Sequence, residues 1–163
     1  MMSVKNQYLT LFDYHWDTTA SMLKCAAELD ETRCKLHPGF GHGSILDLLI
    51  HLFRADQSWR IGLETGKQIT EVDAETYPSL EAVSIGFASE RAAWARLIEG
   101  YSSDEIMGEI ELTSRRGELY TFKLWRVLQH LIMHGMQHHS ELAQLLTNEG
   151  KSPGDIDFIF YRG

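Results

Sequence analysis

Four of the chain's eight histidines fall within ten residues, HLIMHGMQHH, as His130, His134, His138 and His139. Three of them repeat every four residues, so on a helix they climb one face at one turn per step. On a helical wheel His134 and His138 lie about 40° apart. Val127 and Leu145 fall between them and Leu131 just beyond His138, so both imidazoles belong to the edge of an apolar face. His130 is about 40° further toward the polar side, and His139 is about 100° beyond His138 and badly placed to share an ion with it.

An imidazole facing a bundle interior must be hydrogen-bonded or ligated, because burying it unpaired costs roughly 1–3 kcal/mol. Two such rings one turn apart also resist joint protonation. A divalent metal answers both demands, since it takes neutral imidazole nitrogen at about 2.0–2.1 Å. The i, i+4 spacing suits one ion, as in His-Glu-x-x-His zinc helices. Gly135 follows His134, however, so the catalytic glutamate of those proteases is missing and that reading fails. On spacing alone, a metal site and an idle polar stripe both stay open.

A third donor must come from another helix, and His51 is the best candidate. It flanks an apolar stripe beside Leu48 and Leu52, and antiparallel packing would set it opposite the histidine pair. His37 and His42 lie in a glycine-rich loop and are expected to be exposed. His15 stands beside Trp16 with no partner at fixed spacing. Asp47, one turn before His51, and Glu141, on the face of His134, are the candidate general acid/base groups.

Four segments have the helical periodicity needed to position these groups. The first runs from about Val4 to Leu29, with Leu9, Phe12, Trp16, Ala20 and Leu23 as its apolar stripe. The loop KLHPGFGHGS precedes the second helix, which Ser44 caps and which stops near Gly66. A polar loop containing Pro78 leads to Ser79, the cap of a third helix over about 80–99, with Glu81 in its first turn and Gly100 suited to its C-terminal cap. IELTSRRGELYTF predicts two short strands around Arg115-Arg116-Gly117. The last helix spans about Lys123 to Glu149, closes at Gly150, and is followed by a tail whose Ile156, Phe158 and Phe160 should dock on the bundle. The expected architecture is all-α, an up-down four-helix bundle with a β-hairpin insert before the last helix, in one domain over residues 1–163.

The composition excludes several functions. With 15 Lys and Arg against 23 Asp and Glu the net charge is −8, which disfavours binding to a phosphate backbone. Two cysteines, Cys25 and Cys34, make neither a disulfide framework nor a zinc knuckle. No run approaches the roughly 18 apolar residues of a membrane span, and the N-terminal segment lacks the pattern of a signal peptide. The chain is expected to be soluble and cytoplasmic.

VLQHLIMHGMQHHSELAQLLTNEGKSPGDIDFIFY resembles the last helix and tail of the DinB / YfiT-like superfamily of metal-binding four-helix bundles. That family reads His-x-x-Asn-His, three residues, His-Arg-Gly-Gln, then a Leu-rich turn, Gly, Pro and Asp. His134 and His138 fall on its two ligand positions in this helix, and Gly150, Pro153 and Asp155 or Asp157 match the tail. Ser44, Ile45, Leu49 and His51, followed by Asp56 and Trp59, look like its second-helix motif, and Trp16 like its first-helix tryptophan. Met133 replaces the usual Asn, and His139-Ser140-Glu141 replaces Arg-Gly-Gln.

The resemblance implies a divalent metal held by His51, His134 and His138, and a homodimer. Three histidines leave a coordination position open; nitrogen-only ligation suits zinc or nickel, with iron or manganese allowed. The expected function is a metal-dependent thiol S-transferase or hydrolase acting on a small electrophilic molecule, with a low-molecular-weight thiol as co-substrate in the first case. The alternative is a non-catalytic metal-binding module in stress response or metal handling. A third reading, a metal-free interaction protein, requires His51 to face away from His134 and His138.

Overall fold

A computed structural model describes residues 2–67 and 76–163. Helix α1 spans Val4–Ala26, the one-turn α2 Glu31–Cys34, α3 Ile45–Thr65, α4 Leu80–Gly100 and the short α5 Ser103–Met107. Strands β1 (Glu109–Thr113) and β2 (Leu119–Lys123) precede α6, Leu124–Asn148, and the tail ends in a 3-10 turn, Phe158–Phe160. The four-helix bundle with a hairpin before its last helix is therefore the architecture the sequence predicts. The polar loop before α4 falls largely outside the described residues.

The packing order is more particular than a simple up-down meander. α1 packs on α4 and α6, and α3 packs on the same two, so α1 and α3 face each other across the bundle diagonal. Side-chain contacts give the directions. Tyr8 reaches the Trp125 carbonyl and Thr19 reaches His139, so α1 and α6 run the same way. Trp59 meets His130 while His51 meets His138, so α3 and α6 are antiparallel. Leu48, Leu49, Leu52, Phe53, Trp94, Leu128, Leu131 and Leu142 fill the centre, each almost completely buried.

Differences from the predicted elements have local causes. α1 stops at Ala26, and Asp30 caps α2 inside what reads as loop, its carboxylate accepting the Arg33 N–H at 2.9 Å. Gly100 is the last residue of α4 rather than its cap, and Tyr101 closes the helix in an extended conformation. The buried face of α1 is Tyr8, Phe12, His15, Trp16, Thr19, Met22 and Ala26, while Ala20 is exposed. Two polar residues occupy this face because other helices supply their partners. The tail docks through Ile156, whose carbonyl takes the Tyr14 hydroxyl, and through Tyr161, whose hydroxyl donates to Asp17 at 2.7 Å. Phe158 sets its ring edge-on to Tyr14 at 5.0 Å while staying about half exposed, and Phe160 remains exposed.

The hairpin pairs Glu109 with Lys123 through Thr113 with Leu119, and the Thr113 N–H donates to the Gly66 carbonyl at the C-terminal end of α3. At the other end of α3, Ser44 and Asp47 form a reciprocal capping box. Ser44→Ala should lower stability by about 1 kcal/mol in urea denaturation. No helix among the described residues is long and apolar enough to cross a membrane.

Candidate metal centre

Burial of Leu48, Leu49, Leu52 and Phe53 fixes the rotation of α3, and this leaves His51 half-buried on the side facing α6. On α6 the buried run Val127, Leu131, Gly135, His138, Leu142 sets His138 into the interface and His134 at its edge. The His51 ring lies 4.7 Å from that of His138 and 5.3 Å from that of His134. Nε2 of His134 and Nε2 of His138 face each other at 3.1 Å. The orientation required by a metal-free interaction protein, with His51 turned away, is not present.

His42 joins this group. It projects from the loop before α3, with its ring 4.7 Å from His138 and stacked 5.3 Å from His51. One ring nitrogen each of His42, His51 and His138 lie within 4.8 Å of one another. Glu141 sits behind them: its Oε2 accepts from His42 Nδ1 at 2.9 Å and from His138 Nδ1 at 3.3 Å. This leaves Nε2 of both rings facing away from the carboxylate, the arrangement by which a carboxylate orients a ligating imidazole. Asp47 is elsewhere engaged, its Oδ2 accepting from the Ser44 N–H at 2.9 Å and hydroxyl at 2.7 Å. His130 is exposed beside Trp59, and His37 accepts the Gly39 N–H.

The donor set fits a divalent transition ion. Burial first, then the neighbouring His138 and His51, lower the pKa of His134 to about 4. Burial likewise lowers that of His138, against an opposing pull from Glu141. Both rings are thus neutral at physiological pH, as ligands must be. Burial would raise the Glu141 pKa, but its hydrogen bonds to His42 and His138 outweigh this and lower it, keeping a carboxylate behind the rings. Two neutral Nε2 atoms at 3.1 Å must share either one proton or one cation. The lowered pKa of both rings opposes a second proton.

These shifts have a stability consequence. A histidine with a lowered folded pKa favours the unfolded, proton-binding state as pH falls through its ordinary value. The metal-free protein should therefore lose stability from pH 6.5 down to about 4, with His134 as one contributor. Urea denaturation at the two ends of that range measures it.

A second polar cluster lies behind the first. His15 Nε2 donates to Asp56 Oδ2 at 3.0 Å, joining α1 to α3 across the diagonal with both side chains at most 3% exposed. Burial raises the Asp56 pKa, and His15 offsets part of this. Thr19 spends its hydroxyl proton on the His15 carbonyl at 2.9 Å, so it accepts from His139 Nε2 at 2.8 Å. His139, completely buried, is held neutral by burial first and by the nearby His15. His15 and Thr19 stand four residues apart on a core stripe, which is the one sequence signal for them.

Fold and site together define a four-helix-bundle protein with a histidine cluster between its second and fourth long helices. The sequence profile of the DinB family matches residues 2–163, and the chain belongs to that family. It is similar in structure to a DinB-like protein of Bacillus subtilis, with a TM-score of 0.70 and 17% identity over 96% of this chain and 100% of that one. A DinB-like protein of Bacillus cereus gives 0.69 and 16% over 94% and 97%. YfiT of B. subtilis gives 0.70 and 11% over 93% and 92%, and is described as a "probable metal-dependent hydrolase with an unusual four-helix bundle topology". At these identities the likeness shows the fold alone. No curated protein matches the sequence.

Proposed function

We propose that this chain binds a divalent transition metal, zinc or nickel by its nitrogen donors, through His51, His134 and His138. The observation that carries the reading is the convergence of these rings, two with Nε2 atoms 3.1 Å apart, in front of a carboxylate that holds His138 by its other nitrogen. YfiT's description as a metal-dependent hydrolase supports it. When bound, the ion supplies Lewis acidity, which activates a water or a thiol toward a small electrophile. The reaction class that follows is thiol S-transfer or hydrolysis.

The chain's own residues do the rest. His134 and His138 stay neutral, and with His51 they would present ring nitrogens to the ion. Glu141 orients His138, and His42 with it, by accepting from their Nδ1 atoms; as the carboxylate adjoining the cluster it is also the candidate general base. The buried leucines around the cluster exclude water from its inner side.

Titration of metal-stripped protein with Zn²⁺ and Ni²⁺, with elemental analysis of the protein as purified, tests binding. One site per chain is expected, and no binding of either ion would end the metal reading. Turnover is then sought with small thiols plus electrophiles and with ester and amide substrates, metal-stripped protein serving as control. Metal-dependent turnover in either panel is the expected result, and inactivity in both would favour a metal-binding module without chemistry.

A further inference from the structure

The three proposed ligands would leave a coordination position open, and His42 brings a further ring nitrogen to the cluster. We propose that His42 is a fourth, displaceable ligand, carried by a glycine-rich loop and oriented by Glu141. The inference rests on the metal reading above and concerns what closes the site.

Three observations support it. First, a ring nitrogen of His42 lies within 4.8 Å of those of both His51 and His138, so this loop histidine is as close to the cluster as the helical ones. Second, its Nδ1 is tied to Glu141 Oε2 at 2.9 Å, the oxygen that also takes His138 Nδ1, so both rings turn Nε2 away from one shared carboxylate. A loop histidine with no function at the cluster has no reason to copy a ligand's orientation. Third, Gly41 and Gly43 flank it at φ +68° and +109°, in the left-handed region that side chains rarely adopt. At Gly43 a Cβ would also stand 2.8 Å from Asp47 Oδ2, so the loop's return into the α3 cap requires glycine.

Exposure separates His42 from the other donors. Its side chain is 43% exposed, whereas that of His138 is 2% exposed. His51, His134 and His138 are built into helices whose burial fixes them. His42 is the donor that can leave without unpacking the core, and it stands on the solvent side, where a substrate must enter. Coordination by His42 would keep adventitious water and small anions from the ion until a substrate with a better donor displaces it. A thiolate is such a donor, being softer than imidazole toward zinc and nickel.

The test uses Co²⁺ as a spectroscopic probe in the wild-type chain and in His42→Ala, an exposed loop substitution that leaves the core intact. Wild type should show the intense visible bands of a four-coordinate site and respond weakly to azide. His42→Ala should bind Co²⁺ about tenfold more weakly, since even loss of a partner behind a ligand costs that much. Its bands should weaken as solvent fills the vacated position, and azide should perturb them at lower concentration. Identical spectra, affinity and azide response in the two proteins would overturn the role of His42 while leaving the metal site standing. Failure of both proteins to bind Co²⁺, Zn²⁺ or Ni²⁺ would overturn this inference and the metal reading together.

Discussion

Gly135→Ala should destabilise the protein by about 3–5 kcal/mol, although the same change on an exposed helix would stabilise it by about 1 kcal/mol. A Cβ at position 135 would fall inside van der Waals contact of His15 Nδ1 and 2.6 Å from its Cε1. The imidazole has little room to yield. It is packed against Phe12, Trp16 and His139, and its Nε2 is committed to Asp56 at 3.0 Å. Moving the ring strands a carboxylate that is almost completely buried between α1 and α3. Breaking one side of a buried pair costs far more than the pair itself contributes. Urea denaturation of the variant measures the loss, and because His15→Ala alone already strands Asp56, adding Gly135→Ala to it should cost little more. A Gly135→Ala protein as stable as wild type would mean that His15 is not held where the structure places it.

That example shows where sequence reading stops. Gly135 is visible as the residue that rules out a zinc-protease helix, but its purpose depends on a ring 120 residues away on another element. Amphipathic periodicity locates the four long helices because burial of leucines and aromatics repeats along each one. The chain order around the bundle does not follow from periodicity, since it is set by which faces fit. His15, Asp56, Thr19 and His139 are polar residues on buried faces, and each is tolerable only because the others are present. No single helix contains that information. The apolar stripe of α1 read through Ala20 instead of Thr19 for this reason.

The cluster between α3 and α6 was more legible. His134 and His138 announce a common face through their spacing, and His51 flanks the apolar stripe of the second long helix. The structure sets a ring nitrogen of His51 near one of His138 with His42 as the third of that group, and places His134 against His138 at 3.1 Å. His42 is exposed, as its loop position implies, but its approach to the cluster is not legible because glycine-rich loops have no periodicity from which to judge direction. Its approach follows from the turn that the glycines permit and from the cap that anchors the following helix at Ser44. Asp47 shows the converse. Its position one turn before His51 suggested acid/base chemistry, but its carboxylate serves the helix cap.

His138→Ala should abolish tight metal binding, lowering affinity by more than about a hundredfold. The magnitude follows by comparison, since removing a partner that only orients a ligand costs about 10–100-fold. His138 sits at the centre of the group: its ring contacts His42, His51 and His134, and Glu141 holds its Nδ1. His130→Ala, one turn beyond His134 and exposed, should leave affinity unchanged. Because His138 is almost completely buried, truncation also opens a cavity. His138→Leu restores volume without a donor, so it should recover stability but not metal binding. Isothermal titration with Zn²⁺ and urea denaturation on the same two variants separate these effects. If His138→Leu binds metal as wild type does, the ion is held elsewhere; if it loses the metal and keeps the fold, the imidazole rather than the packing holds the site.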